Sequence, residues 1–178
     1  MKRKKGKKYV ENTKGMTIKI RQATLNDISE VSRLFNVYRI FYGQHSDLEA
    51  ATFFIKERMS KQESMIFVAE CNEGREEGSV ADTVMGLVQI YPSYSSVSMG
   101  PIWILNDLFV DSTYRQQGIA RKLMQAVMKQ AKKQQILRIV LSTAISNRQA
   151  QALYESEGYT QDQSFMYYEC NVEREHES

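Results

Sequence analysis

The run Leu105-Asn-Asp-Leu-Phe-Val-Asp-Ser-Thr-Tyr-Arg-Gln-Gln-Gly-Ile-Ala-Arg121 reads as a strand, a polar turn and a glycine-marked entry into a helix. Leu105, Leu108, Phe109 and Val110 give the strand a buried character, and Gly118 stands where the chain turns into the helix. The first turn of a helix leaves several backbone N–H groups without intrahelical partners, and the helix dipole adds partial positive charge. Arg115-Gln116-Gln117-Gly118-Ile119-Ala120 therefore sits on a ready anion site suited to phosphate. A phosphate-bearing cofactor is expected there.

Downstream, the helix that opens at Gly118 buries Ile119, Leu123, Val127 and Ala131, with Met124 and Met128 alongside. Arg121, Lys122, Lys129, Lys132 and Lys133 fall on its outer face or near its C-terminal end and read as a solvated surface. Ile136 to Thr143 is predicted as a buried strand, and Asn147 to Glu157 as a short helix ended by Gly158. Tyr159 to Val172 is predicted to supply one or two closing strands. Upstream, Thr17 to Ala23 alternates as a first strand, and Thr24 with Asn26-Asp27 offers caps for a helix. That helix carries Ile28, Val31, Leu34, Phe35, Tyr38 and Phe41 on one face. Asp47 caps a second helix through about Met59, with Ala51, Phe54, Ile55 and Met59 inward. Ser64 to Cys71 and Thr83 to Tyr91 read as strands around a polar loop, 72–83. Gly86 marks a bulge or a close backbone approach. Tyr91 to Ser98 reads as a turn-rich connection, and Pro101 to Val110 as the central strand. The expected class is α/β (α+β by some schemes): a mixed, mostly antiparallel sheet flanked by about four helices.

Composition limits the alternatives. At 178 residues one domain is expected, placed at 16–172 between a basic arm (1–15) and a short tail (173–178). Met16, directly after Gly15, is an alternative start for the folded domain. No apolar run reaches the ~20 residues of a membrane span. Cys71 and Cys170 are far apart without ligand-like spacing, so a reducing cytoplasm fits and no metal site is expected; His45 and His176 add no motif. Residues 1–15 hold seven bases and one acid, whereas the whole chain is only +3, so the body after the arm is mildly acidic. The arm reads as a solvated extension, and nucleic acid is not the expected partner; a nucleic-acid-associated protein working through the arm is the competing class.

Two blocks carry a resemblance that spans roughly residues 17–170. Arg115-Gln-Gln-Gly118-Ile-Ala120 fits the Arg/Gln-x-x-Gly-x-Gly/Ala pyrophosphate signature of the GCN5-related N-acetyltransferase (GNAT) superfamily. Asn147-Arg-Gln-Ala-Gln-Ala-Leu-Tyr154-Glu-Ser-Glu-Gly158-Tyr159 matches its second hallmark. The chain most resembles the branch holding polyamine-type and histone-like acetyltransferases. The resemblance implies acetyl-CoA as cosubstrate and a homodimer. It also implies a cofactor site of Leu108, Phe109, Val110, Arg115, Gln116, Gln117, Gly118, Ile119, Ala120, Arg121, Asn147 and Tyr154. The main chain of Leu108 to Val110 would pair with the pantetheine arm as an added strand.

The reaction sets further demands. An alkyl amine with a pKa of about 10.4 is neutral in roughly one molecule in a few thousand at pH 7, so a proton must be removed before attack. The leaving thiolate needs a proton in return, and the resemblance points to Tyr154 as that acid. Related polyamine enzymes carry an acidic pair where this chain has Asn106-Asp107. Strand alternation sends the Asp107 side chain to the face opposite Asn106, so the candidate base is Asp107 acting at longer range, with a water chain as the alternative. Tyr38, Phe41 and Tyr42 at a helix end, with Tyr91, Tyr94 and Asn106, are the candidate acceptor residues. The tyrosines and the acidic body suit a small cationic amine, such as a polyamine or an amino acid. A lysine or N-terminus of a protein is the alternative acceptor, and a non-catalytic CoA-binding sensor the alternative role.

Overall fold

The computed structural model describes residues 17–72 and 84–172. The basic arm, the polar loop from residue 73 and the 173–178 tail lie outside the described residues. The chain divides into two compact units, one ending at Ser142 and the other starting at Thr143.

The first unit is a five-stranded sheet with helices on both faces. Its strands are β1 (Thr17–Gln22), β2 (Met65–Asn72), β3 (Val84–Ser95), β4 (Gly100–Val110) and β5 (Ile139–Leu141), hydrogen-bonded in that order. The first four pair antiparallel, and β4 pairs with β5 in parallel. The sheet is therefore mixed and mostly antiparallel, as the sequence predicts. Helices α1 (Ile28–Phe41) and α2 (Leu48–Ser60) cover one face. There Val31, Leu34, Phe35, Ala51 and Ile55 pack with Ile66, Val68, Leu87 and Phe109. Helix α3 (Ile119–Lys133) connects β4 to β5 and contacts β1 to β4 through Ile119, Leu123, Met124, Val127 and Ala131, all buried. Each of these side chains except the small Ala131 contributes about 1.5–3 kcal/mol by leaving water.

Local signals behave as the residue types require. The Asp47 carboxylate accepts from the Ala50 N–H at 2.9 Å and starts α2. Gly86 answers both readings made of it. A Cβ there would meet the Phe109 carbonyl oxygen at 2.9 Å, Val110 Cγ2 at 3.2 Å and Ile119 Cγ2 at 3.3 Å, and the β2–β3 register shifts beside it. The absent side chain lets the start of α3 sit against the end of β4.

Three expectations are corrected. β3 runs to Ser95, so Tyr91 to Ser95 is strand rather than turn. Pro92 is tolerated because β2 ends its pairing at Ile90, leaving that stretch of β3 without a β2 neighbour to receive an N–H. β5 keeps only three half-buried residues, since its one ladder, to Trp103–Leu105, is short. No strand forms between Tyr159 and Val172. The Asp162 carboxylate instead accepts from the Ser164 and Phe165 N–H groups at 2.8 and 3.0 Å, a local turn that competes with extended pairing. Phe165, Met166, Tyr167 and Tyr168 follow without two-residue alternation, and all four are exposed.

The second unit holds α4 (Arg148–Ser156), capped by Asn147, whose Oδ1 accepts from the Ala150 N–H at 3.2 Å. Gly158, at φ +86°, ends it in the left-handed conformation expected of a C-terminal glycine.

At the outer edge of the sheet, Arg21 donates to Glu70 at 2.6 Å and to both Asp27 oxygens at 2.7 and 2.8 Å. Lys19 adds a 3.2 Å contact to the fully buried Glu70. The Arg21 bonds hold the Asp27 carboxyl down to about 2, against the effect of its partial burial. Its unfolded value is about 3.9, so the contribution is full above pH 4 and disappears as the pH falls from 4 to 2. Acid unfolding of Arg21→Ala is expected to lose that steep dependence. At pH 7 the variant should be destabilised by about 3 kcal/mol, because Glu70 is left buried with Lys19 alone; denaturant melts at pH 7 and pH 3 measure both effects.

Candidate active site

The site begins with an irregularity in β4. Gln89 stands opposite Asp107, but Ile90 stands opposite Leu105, so β4 holds one extra residue, Asn106. This β-bulge breaks the alternation assumed from sequence. Asn106 and Asp107 do not face apart: the Asn106 amide donates to both Asp107 oxygens at 3.2 Å. Asp107 and Phe109 then lie on the sheet face beneath α1 and α2. Asp107 is buried, at 4% exposure, and also accepts from the Tyr38 hydroxyl of α1. Among the described residues no lysine or arginine pairs with it. Burial pushes its carboxyl above the usual carboxylate range, against the opposing pull of Asn106 and Tyr38. Burial, then the Asp107 charge, push the Tyr91 hydroxyl up to about 12.

Over this carboxylate the end of α1 lays an aromatic shelf. Ring centroids of Tyr38 lie 5.0 Å from Tyr42 and 5.9 Å from Phe109; Phe41 lies 5.2 Å from Tyr42 and 6.4 Å from Phe109. Phe41 and Tyr42 keep more than half their surface exposed, so the shelf is open to solvent above and closed below. The Arg115 guanidinium sits 5.5 Å from the Phe41 and Phe109 ring centroids, and its Nε donates to the Val110 carbonyl at 3.0 Å. Its side chain thus belongs to the shelf, and its main chain to the loop. Tyr94 is 80% exposed and lies three residues beyond Tyr91, about 10 Å farther along β3; it does not join the cluster.

Two main-chain features adjoin the carboxylate. β5 stops pairing with β4 at Leu105, so Leu108, Phe109 and Val110 pair with β3 on one side and have no strand partner on the other among the described residues. Beyond them the loop turns through left-handed Gln116 (φ +64°) and Gly118 (φ +76°) into α3. Gly118 carries no side-chain cap, and a Cβ there would meet nothing within 4 Å, so the approach to the first N–H groups of α3 is open. Alternating handedness over successive residues turns main-chain N–H groups to one concave side, a nest for anionic oxygen. The first turn of α3 holds no acid but does hold Arg121, with Lys122 next, cations at the positive end of a helix dipole. Cations and a positive helix end there together attract an anion, so the residues fit a phosphate-bearing group. Ile119 is buried beneath the loop and can offer only its main chain.

In the second unit Asn147 uses its Oδ1 to cap α4, while Tyr154 packs 6.2 Å from Tyr159, ring to ring. Burial, followed by Tyr154 and Glu157, pushes the Tyr159 hydroxyl up to about 12. Sequence reasoning missed Gln89 and Ser64, which are buried and hydrogen-bonded to each other beside Asp107's strand position. The available signal was an amide set within the apolar run Val84-Met-Gly-Leu-Val-Gln-Ile90.

Comparison with known proteins identifies the family. The Acetyltransferase (GNAT) family model matches residues 29–159. An uncharacterised N-acetyltransferase of Bacillus subtilis is 41% identical over 153 residues, covering 86% of this chain and 97% of that protein. The solved structure of a probable acetyltransferase superposes with a TM-score of 0.80 at 36% identity, over 88% of this chain and 99% of the other. An aminoglycoside N-acetyltransferase solved in complex with CoA shares the fold at a TM-score of 0.70 and 17% identity, over 89% of this chain and 97% of the other. The family uses acetyl-CoA. Matched in sequence and in fold over most of its length, the chain belongs to the GNAT family of N-acetyltransferases and is an acyltransferase.

Proposed function

We propose that the protein moves the acetyl group of acetyl-CoA to a small cationic primary amine by direct attack, with both substrates bound together. The observation that carries this reading is the buried Asp107 carboxylate, without a cation among the described residues, at the foot of an aromatic shelf. An ammonium group is the charge such a site lacks, and Tyr38, Phe41 and Tyr42 offer ring faces that attract cations. Acetyl-CoA supplies an activated thioester carbonyl. The Gln116–Ala120 main chain holds its pyrophosphate, aided by Arg121, and the free side of Leu108 to Val110 takes its pantetheine arm. The family resemblance assigns Asn147 to the same cofactor. Asp107 removes one proton from the ammonium, giving the neutral amine that forms the new C–N bond. A carboxyl raised by burial suits this task better than an ordinary one, because its affinity for the proton is greater. A β4 main-chain N–H near Leu108 stabilises the oxyanion. As the C–S bond breaks, the departing thiolate, whose conjugate thiol has a pKa of about 8.5, takes the proton that the family resemblance assigns to Tyr154, and the surplus proton on the new amide nitrogen restores the phenol.

Thiol release from acetyl-CoA across a panel of polyamines, amino acids, aminoglycosides and lysine peptides tests the reading directly. Small cationic amines should lead the panel. Release with none of them, despite CoA binding, favours the sensor role.

Asp107→Asn should lower kcat/KM by about 10²-fold or more and remove the rise of rate with pH. That rise should fall above the ordinary carboxylate range. Tyr154→Phe should reduce kcat by about 10²-fold with CoA affinity unchanged by calorimetry; wild-type kcat at saturating substrates removes Tyr154 from the mechanism.

Gly118→Val should weaken CoA binding about tenfold, since a β-branched residue at φ +76° is strained whatever the space around it.

A further inference from the structure

Apart from the Glu70 ion pairs toward its β1 edge, the sheet face beneath α1 and α2 carries a line of polar side chains: Ser64 before β2, Gln89 on β3 and Asp107 on β4. Gln89 is fully buried. Its Nε2 donates to Ser64 Oγ at 2.9 Å, and its Oε1 is buried with no donor. Native proteins leave few buried acceptors unpaired, and an unpaired one costs about 1–3 kcal/mol. Gln89 is the direct cross-strand partner of Asp107. Residues so opposed project from the same face with Cβ atoms about 4.5–5.5 Å apart, within reach of an amide and a carboxyl.

The chemistry of the two side chains is complementary in only one protonation state. An ionised carboxylate accepts hydrogen bonds and donates none, and Asp107 receives its donors from Asn106 and Tyr38. Once it takes a proton it gains an O–H in a place shielded from water, and that O–H needs an acceptor. Of the neighbours of Gln89 on this face, Ile66 and Leu87 offer no side-chain acceptor, and the hydroxyl of Tyr91 is the one other acceptor on β3 beside it.

We propose that Gln89 is a positioning residue for the Asp107 base: Gln89 Oε1 accepts the hydrogen bond of the Asp107 carboxyl once that group holds the amine proton, and Ser64 fixes the amide that presents it. The inference rests on the reading that Asp107 takes the proton. It gives the orphaned acceptor a donor that exists only during turnover. Other titratable or charged groups facing this point are Tyr38 from α1 and Tyr91 from β3. Arg58 of α2 and Glu63 act on Tyr91, and Arg58 is paired to Glu57 and Glu63. None of these changes in the variants below.

The test is a ¹³C-carboxyl NMR titration of the full chain, with the Asp107 signal assigned by its loss in Asp107→Asn, alongside the pH profile of kcat/KM. Gln89→Met keeps the length and removes the acceptor. The neutral carboxyl should lose its partner, so the Asp107 midpoint and the acidic limb of the profile should both fall, by about 0.5–1 pH unit. Ser64→Ala, a smaller change, should shift both in the same direction by less, and it carries the test if Gln89→Met does not fold. A glutamine with a merely structural role would alter the unfolding temperature and leave the midpoint in place. An unchanged or raised midpoint in a folded variant overturns the inference. Wild-type turnover in Asp107→Asn overturns instead the assignment of the base, and the titration then still decides the hydrogen bond alone.

Discussion

One extra residue in β4 organises this molecule. Because Asn106 has no counterpart on β3, the strand changes the face it presents midway along its length. Trp103 and Leu105, before the bulge, are buried in ordinary alternation. After it, Asp107 and Phe109 are turned under α1, where a carboxylate would not otherwise be admitted to an apolar layer. The parallel ladder to β5 ends at Leu105, immediately before the bulge. One irregularity thus places a buried acid and leaves a strand edge open beside it. Such bulges re-aim side chains and end pairing where a site needs both.

The end of α1 and the loop after β4 are tied to the same strand. Tyr38 bonds Asp107 and packs on Phe109, while Arg115 rests on Phe109 and Phe41 and bonds the Val110 carbonyl. Arg33 of α1 reaches the Val84 carbonyl at 3.2 Å and Asp111 at 3.6 Å, fixing the helix to both strands at the turn where the loop begins. The aromatic shelf and the anion nest are therefore parts of one support, and movement of either disturbs Arg115. Gly86 tightens the arrangement by letting Ile119 close on Val110 from the other face.

Much of this was legible because it depends on near neighbours in the chain. Asp47 and Asn147 cap their helices, Gly118 and Gly158 take left-handed conformations, and the apolar faces of α1 and α3 follow helical spacing. What escaped depends on partners distant in sequence. Nothing in Asn106-Asp107 marks a bulge, because a bulge is a relation to Gln89 and Ile90 across the ladder. Alternation by itself therefore sent the two side chains apart. Gln89 gave no functional signal for the same reason: its meaning comes from Asp107 opposite. Residues 159–172 misled through composition, since aromatic and β-branched residues suggest strands, but the Asp162 turn and the absence of alternation prevailed.

Two buried carboxylates show how burial separates scaffold from chemistry. Glu70 is as buried as Asp107, yet Arg21 and Lys19 both reach it, and its charge is matched wherever the protein is folded. Among the described residues Asp107 has neutral donors only. Leaving a carboxylate without a cation in a buried layer costs free energy that well-packed apolar residues would not, and a core selected for stability alone would replace it. On the proposed function, the cost is recovered when a cationic amine arrives, because the ammonium supplies the missing charge and then a proton. Glu70 is held by its own chain and has nothing to give a substrate. Asp107 is held in place but left electrostatically incomplete, and on the proposed function that incompleteness is what suits it to be the reactive carboxylate of the two.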